Sequence, residues 1–231
     1  MKRLVLLLSV LGAALQADLA LVSKGASEYV IVRPAKATTP QLYAAEELRD
    51  IVKAMTGATL AIQTDAGALP PKAILLGVTK HTEKLLGAKV DLKKLGDDGF
   101  RIKACSPHLV IAGSGVRGTL YGVYELLERY GGCRWYASFY SVTPKRKDWS
   151  VPDALDDTQT PAFVMREPFW FDMFKGDFAA RSRANGNRMA VTEKHGGKIR
   201  FGAGLFVHTF NRLMPPGEFF AEHPEYFSEI K

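Results

Sequence analysis

The sequence predicts an α/β protein of the α+β type: a mixed sheet with two main helices on one face, in a two-layer sandwich. Three observations predict it. Short β-branched and aliphatic runs alternate with longer amphipathic stretches in the order ββαββ(α)ββα. One of those stretches, from Thr39, carries helix start and stop signals at both ends. The segment from His108 to Tyr136 reads as a strand, a glycine turn and a second helix.

The elements follow in order. Met1-Lys2-Arg3 followed by the apolar run Leu4–Leu15 has the form of a secretory leader, with Ala17 as the small residue at the cut. The run is too short to span a bilayer, so the leader predicts a secreted or periplasmic protein with no membrane attachment once residues 1–17 are removed. Leu19–Val22 and Glu28–Val32, around Lys24-Gly25, are expected to form a hairpin. Thr39-Pro40 opens a helix in which Leu42, Ala45, Leu48, Ile51, Val52 and Met55 share one face, and Gly57 stops it. Thr59–Gln63 and Ala73–Leu76 are expected strands, and His81–Leu86 a short helix. Phe100–Cys105 and His108–Ala112 should pair around Ser106-Pro107. The second helix, from about Thr119 to Tyr130, carries the stripe Leu120, Val123, Tyr124, Leu127 and Tyr130.

The turn Gly113–Gly118 contains a literal G-x-G-x-x-G. A dinucleotide site also needs a second parallel strand after the helix, ending in an acid about 20 residues on. Here the helix is followed by Gly131-Gly132-Cys133-Arg134-Trp135-Tyr136, with no β-branched run and no such acid. The glycines are better read as a device for a sharp turn and close helix–sheet packing, and no cofactor is expected.

The chain has 231 residues, 47% hydrophobic and 24% charged, which is the composition of a globular protein. Its net charge of +7 is scattered; the one cluster, Lys145-Arg146-Lys147, is followed by Asp148. Without a basic stripe or a known module, nucleic acid is not an expected partner. Metal is not expected either, since His81, His108, His195, His208 and His223 lack ligand spacing and the two cysteines form no C-x-x-C. An exported chain permits a disulfide between Cys105 and Cys133, and two buried free thiols are an equal alternative.

The first unit is expected to occupy residues 18–152. Asp156–Pro161 reads as a polar linker, Ala162–Met165 as a new strand, and Asp177–Arg188 as helical until Asn185-Gly186-Asn187 breaks it. Just after that strand come Arg166, Glu167, Trp170 and Asp172. Carboxyl groups on opposite sides of a scissile bond, about 5–5.5 Å or 6.5–9.5 Å apart, are what glycoside hydrolysis requires. Arg166 has the geometry to grip a hydroxyl or carboxylate, and Trp170 the face to stack on a sugar. His208, in Val-His-Thr-Phe, has an imidazole able to bind substrate or move a proton near neutral pH. For each of these residues a structural role is the competing reading: an ion pair for the acids, core packing for the aromatics.

The stretches AAEELRDIVKAMTGATLAI, AILLGV, DDGFRIKA and HLVIAGSGVRGTLYGVYELLERYGGCRWY resemble the N-terminal domain that precedes the barrel in α-glucuronidases and β-N-acetylhexosaminidases. The tail HTFNRLMPPGEFFAEHPEYFSEIK resembles the secreted bacterial family defined by DUF4838. The resemblance implies carbohydrate as the partner, polysaccharide or oligosaccharide, acidic ones included. It also implies an accessory N-terminal domain and, over residues 153–231, the incomplete start of a (β/α)8 barrel beginning at Ala162. A whole barrel takes about 250 residues, so the fragment is not expected to be catalytic by itself. A stand-alone carbohydrate-binding or protein-interaction module is the alternative.

Overall fold

The computed structural model describes residues 18–202 and 205–228; the expected leader, residues 1–17, lies outside the described residues. The strands are β1 (Asp18–Val22), β2 (Val30–Arg33), β3 (Ala61–Thr64), β4 (Ala73–Leu76), β5 (Phe100–Cys105), β6 (His108–Gly113), β7 (Arg134–Ala137), β8 (Tyr140–Val142), β9 (Trp149–Pro152) and β10 (Asp156–Gln159). The helices are α1 (Thr39–Thr56), α2 (Thr82–Leu86), α3 (Leu92–Leu95), α4 (Gly118–Glu125), α5 (Gly176–Arg181), α6 (Phe210–Leu213) and α7 (Pro216–Phe219). A π-helical turn, Leu126–Tyr130, prolongs α4.

Six strands form the main sheet in the order β10-β5-β6-β4-β2-β3. From β3 to β6 the neighbours are parallel, while β5 and β10 close the other edge antiparallel. The sheet is therefore mixed, as expected. The expected hairpin of the first two strands does not form. β1 pairs antiparallel with β9, 130 residues on, and β2 lies between β3 and β4. The burial explains it: Ile31 and Val32 are both buried, so β2 has two covered faces, the mark of an interior parallel strand rather than a hairpin arm.

On one face, α1 and α4 cover Ile31, Ile74, Leu76, Leu109 and Ile111. α1 is entered through Thr38, whose backbone N–H donates to the Gln41 side chain at 3.0 Å, and it ends at Gly57 with φ +89°. Its buried face is Ala44, Ala45, Leu48, Val52 and Met55; Leu42, expected on that face, is exposed. α4 is buried on every side, from Gly118 through Tyr124. A helix buried all round needs cover on both flanks, and α5 supplies the second one with Ala179 and Ala180. The opposite sheet face is not bare. Leu85, Leu86 and Val90 pack over Val32, Leu75 and Val110, which adds a thin third layer to the expected two. Cys133 lies in the main core and Cys105 beside the second cluster, and both are free thiols, because the sheet stands between them.

The tail differs more from expectation. Asp156–Gln159, read as linker, is β10, the edge strand against β5. Ala162–Met165 forms no strand, and Phe163 and Val164 are exposed. α5 stops at Arg181, well short of Arg188, because Arg183 turns into the left-handed region at φ +57° and Asn185 is drawn into the core.

What draws it in is Asp98. This buried carboxylate accepts short bonds from Arg117 Nε and Arg166 Nη2, and a third from Asn185 Nδ2 at 2.8 Å. Removing the carboxylate leaves the part-buried Arg166 without an acid and the buried Arg117 with only exposed Asp97, 3.7 Å away. Asp98→Ala should therefore lose about 3–5 kcal/mol in urea unfolding. Arg49→Ala, which breaks an exposed pair with Asp50, should change stability by no more than about 1 kcal/mol.

Candidate functional site

α5 builds the site. Its Phe178, Ala179 and Ala180 are buried, and the flanking Asp177 and Arg181, one helical turn apart, stand at the edge of that buried face. There they line a groove of about 680 Å³. The hairpin β7–β8 walls it with Ser138 and Ser141, and Phe174 and Phe178 contribute aromatic surface. Thr192, Lys194 and His195, on the one-turn helix Glu193–His195, complete it.

His195 is fixed in one tautomer. Its Nδ1 accepts from the Thr192 backbone N–H at 3.0 Å, so Nε2 carries the hydrogen and donates to Asp177 Oδ1 at 2.8 Å. Its ring meets Tyr43 edge-on at 5.5 Å. Burial pushes the His195 pKa below its usual value, and the bond to Asp177 only partly offsets this. Lys194 Nζ reaches the same Oδ1 at 2.8 Å and sits 4.6 Å above the Tyr43 ring. Burial acts to raise the Asp177 pKa, but the bonds from Lys194 and His195 outweigh it and hold the carboxyl below its usual range. Asp177 is thus an ionised acceptor whose Oδ2 has no hydrogen bond among the described residues. Behind the groove, Glu47 receives Arg181 Nε at 3.0 Å and Nη2 at 3.1 Å, together with the Tyr124 hydroxyl at 3.0 Å.

Chemically, the groove presents one carboxylate, two lysines (Lys175 and Lys194), hydroxyls and aromatic edges. Asp177 is the sole carboxylate among its described lining residues, so no opposed carboxyl pair lines it. That set suits hydrogen bonding to a polyhydroxylated ligand.

The residues chosen from sequence divide. Arg166 has its side chain engaged by the protein: Nε donates to Arg183 O at 2.8 Å, Nη1 to Phe163 O at 2.7 Å, and Nη2 to Asp98. Glu167 accepts the Asn187 and Arg188 backbone N–H groups at 3.0 and 2.7 Å and so shapes the turn after α5. Asp172 and Trp170 do not line the groove but touch residues that do: Asp172 accepts from Ser138 Oγ at 2.9 Å, and half-exposed Trp170 meets Phe178 edge-on at 5.8 Å. His208 is exposed, outside the groove lining. Asp177, Lys194 and His195 were missed. Asp177 and Arg181 flanking an apolar triplet was a legible signal. His195, 18 residues away, carried none.

Residues 17–126 match the glycosyl hydrolase family 67 N-terminus, and residues 135–231 match DUF4838, a domain of unknown function. These are the two families that the sequence resemblance named. No curated protein matches it. Among solved structures, a family GH115 4-O-methyl-α-glucuronidase with specificity for decorated arabinogalactans is 17% identical. It has a TM-score of 0.51 over 78% of this chain and 29% of that one. A mutant Streptomyces plicatus β-hexosaminidase in complex with its GlcNAc product is 18% identical, with a TM-score of 0.44 over 74% of this chain and 30% of that one. The GH20 β-N-acetylhexosaminidase from Streptomyces coelicolor A3(2) is 17% identical, with a TM-score of 0.46 over 74% and 31%. At these identities the GH115 likeness is one of fold, and this chain spans under a third of each of these structures.

The His195 environment predicts a pH dependence. Its folded pKa lies below 6.5, so as pH falls the unfolded chain takes up that proton first and stability declines. Asp177, held below 3.8, adds stability that is lost only at still lower pH. His195→Gln keeps a donor toward Asp177 and removes the titration. Urea unfolding at several pH values should show a shallower loss of stability for this variant than for the wild type between roughly pH 7 and 5.

Proposed function

We propose that this is an exported carbohydrate-handling protein, secreted or periplasmic. In this reading the sheet unit up to residue 152 is an accessory domain, and residues 153–231 open a DUF4838 domain of barrel type. By itself the stretch 1–231 binds sugar without turning it over. The observation that carries the reading is the groove. An ionised carboxylate with one unengaged oxygen stands among lysines, serines and aromatic edges, on a chain whose N-terminal part matches a glycosyl hydrolase N-terminus. A free carboxylate oxygen accepts a sugar hydroxyl by a charge-assisted bond, and Trp170 and Phe174 offer rings for stacking. Trp170, Asp172 and His208 remain proposed sugar contacts, while Arg166 and Glu167 contribute by holding the tail in shape. The barrel reading rests on the DUF4838 match and the tail motif.

A second reading, an interaction module, is favoured by one feature. Phe139, Phe163, Phe169 and Phe171 are each more than two-thirds exposed, more apolar surface than a lone binding groove needs.

Isothermal calorimetry with neutral and acidic xylo-oligosaccharides tests the groove. Binding should fall by about tenfold or more in Asp177→Asn, the loss of one hydrogen bond to a charged group. Aryl glycosides should not be cleaved; turnover by residues 1–231 would overturn the non-catalytic reading. Produced with its leader in a secreting host, the protein should begin at Asp18 by intact-mass analysis.

A further inference from the structure

The basic triplet Lys145-Arg146-Lys147 takes no part in the groove. It crosses the C-terminal end of α1, where Arg146 N donates to Met55 O at 3.0 Å and Lys145 Nζ to Ala54 O at 2.6 Å. Gly25 N in turn donates to Lys147 O at 2.7 Å, which fixes the backbone of the triplet. The neighbouring acid does not neutralise it. Asp148 Oδ1 accepts from the Lys24 backbone N–H at 2.8 Å, and no carboxylate lies among the lining residues of the concavity that results. Lys53, on the last turn of α1, joins from the other side, so four cations line a pocket of about 320 Å³.

The competing explanation is helix capping, since cations at a helix C-terminus are favourable. Lys145 meets that need through its bond to Ala54 O. Arg146 is then left over. It is half-buried, yet its guanidinium has no hydrogen-bond or ion-pair partner among the described residues. A planar donor fork held partly out of water and left unengaged suits a carboxylate or sulfate, which it grips bidentately. Lys53 and Lys147 beside it add charge without adding a competing acceptor.

We propose that this pocket is a second, anion-selective subsite that takes the carboxylate of an acidic glycan. The glycan identity rests on the carbohydrate reading above; the anion selectivity does not. The pocket lies at the low end of small-ligand sites, about 300 Å³, so it holds one anionic sugar unit of a chain.

Calorimetry on the whole chain separates the possibilities, with an oligogalacturonide, a neutral xylo-oligosaccharide and sodium sulfate as probes. The oligogalacturonide should bind, and more weakly as salt rises. Arg146→Gln combined with Lys147→Gln should lower that affinity about tenfold, leaving the neutral oligosaccharide unaffected. Lys53→Gln, an exposed helix position, should lower it in the same direction without touching the triplet. Unchanged oligogalacturonide affinity in both variants overturns the proposal, as does sodium sulfate binding as tightly as the oligogalacturonide. Loss of neutral-sugar binding in the wild type would sink the groove reading and leave this one standing.

Discussion

The structure depends on a set of partly buried ion pairs that hold the tail against the sheet unit. Asp98 grips Arg166, Glu47 grips Arg181, and Glu125 and Glu128 grip Arg183. Every acid comes from the sheet unit and every arginine from the eighteen-residue stretch of the tail beginning at Arg166. Desolvating these charges is costly, and only full pairing offsets the cost. Asp98 meets that condition with three donors, as does Glu47 with Arg181 and Tyr124. The pairs fix where α5 lies, and α5 in turn buries the outer side of α4 and presents Asp177 to the groove. Ion pairing and apolar burial thus specify the same docking, because Ala179, Ala180, Ala184, Met189 and Val191 join the core of the sheet unit.

That docking also explains why the two family matches cannot be separated cleanly in space. The DUF4838 match begins at residue 135. Two strands within it, β9 and β10, return to pair with β1 and β5 of the family 67-like part. The second segment supplies the edge of the first segment's sheet and covers its helix. Interleaving of this kind satisfies an edge that would otherwise expose unpaired backbone.

Much of the sheet unit was legible because its signals are local. The caps of α1, the apolar stripe of α4 and the runs of β4 to β6 depend on residues within a few positions of one another. The pairing of β1 with β9 was not legible, since nothing in Asp18–Val22 encodes a partner 130 residues away. β10 was missed because Asp156-Asp157-Thr158-Gln159 has no apolar residue; its place at the edge comes from Arg101, Lys103 and Arg129, which pair with its two aspartates. The candidate site suffered most. Arg166 and Glu167 were chosen for chemistry that the fold uses for structure, and His195 gains meaning only where the chain folds back onto Asp177.

The glycine turn shows how the same physics removes a tempting reading. A dinucleotide-type turn works because its backbone N–H groups stay free for phosphate. Here Arg117 N and Gly118 N donate to Asp97 O at 3.0 and 2.8 Å, and Thr119 N donates to Ser114 O at 3.2 Å. Ser114 Oγ is turned onto Asp97 O as well. After α4 the chain leaves the main sheet, since β7 pairs antiparallel with β8 instead of crossing over. The glycines are needed for contact: a side chain on Gly118 would run into Gly99 O, and one on Gly113 into the Gly118 backbone. The next residue, Asp98, brings a carboxylate to the Arg117 guanidinium, so an approaching phosphate would meet fixed negative charge. One dipeptide, Asp97-Asp98, therefore closes the turn to anions with its backbone and anchors the tail with its side chain. A sequence that reads as a nucleotide fingerprint is, in three dimensions, the anchor point on which the tail is mounted.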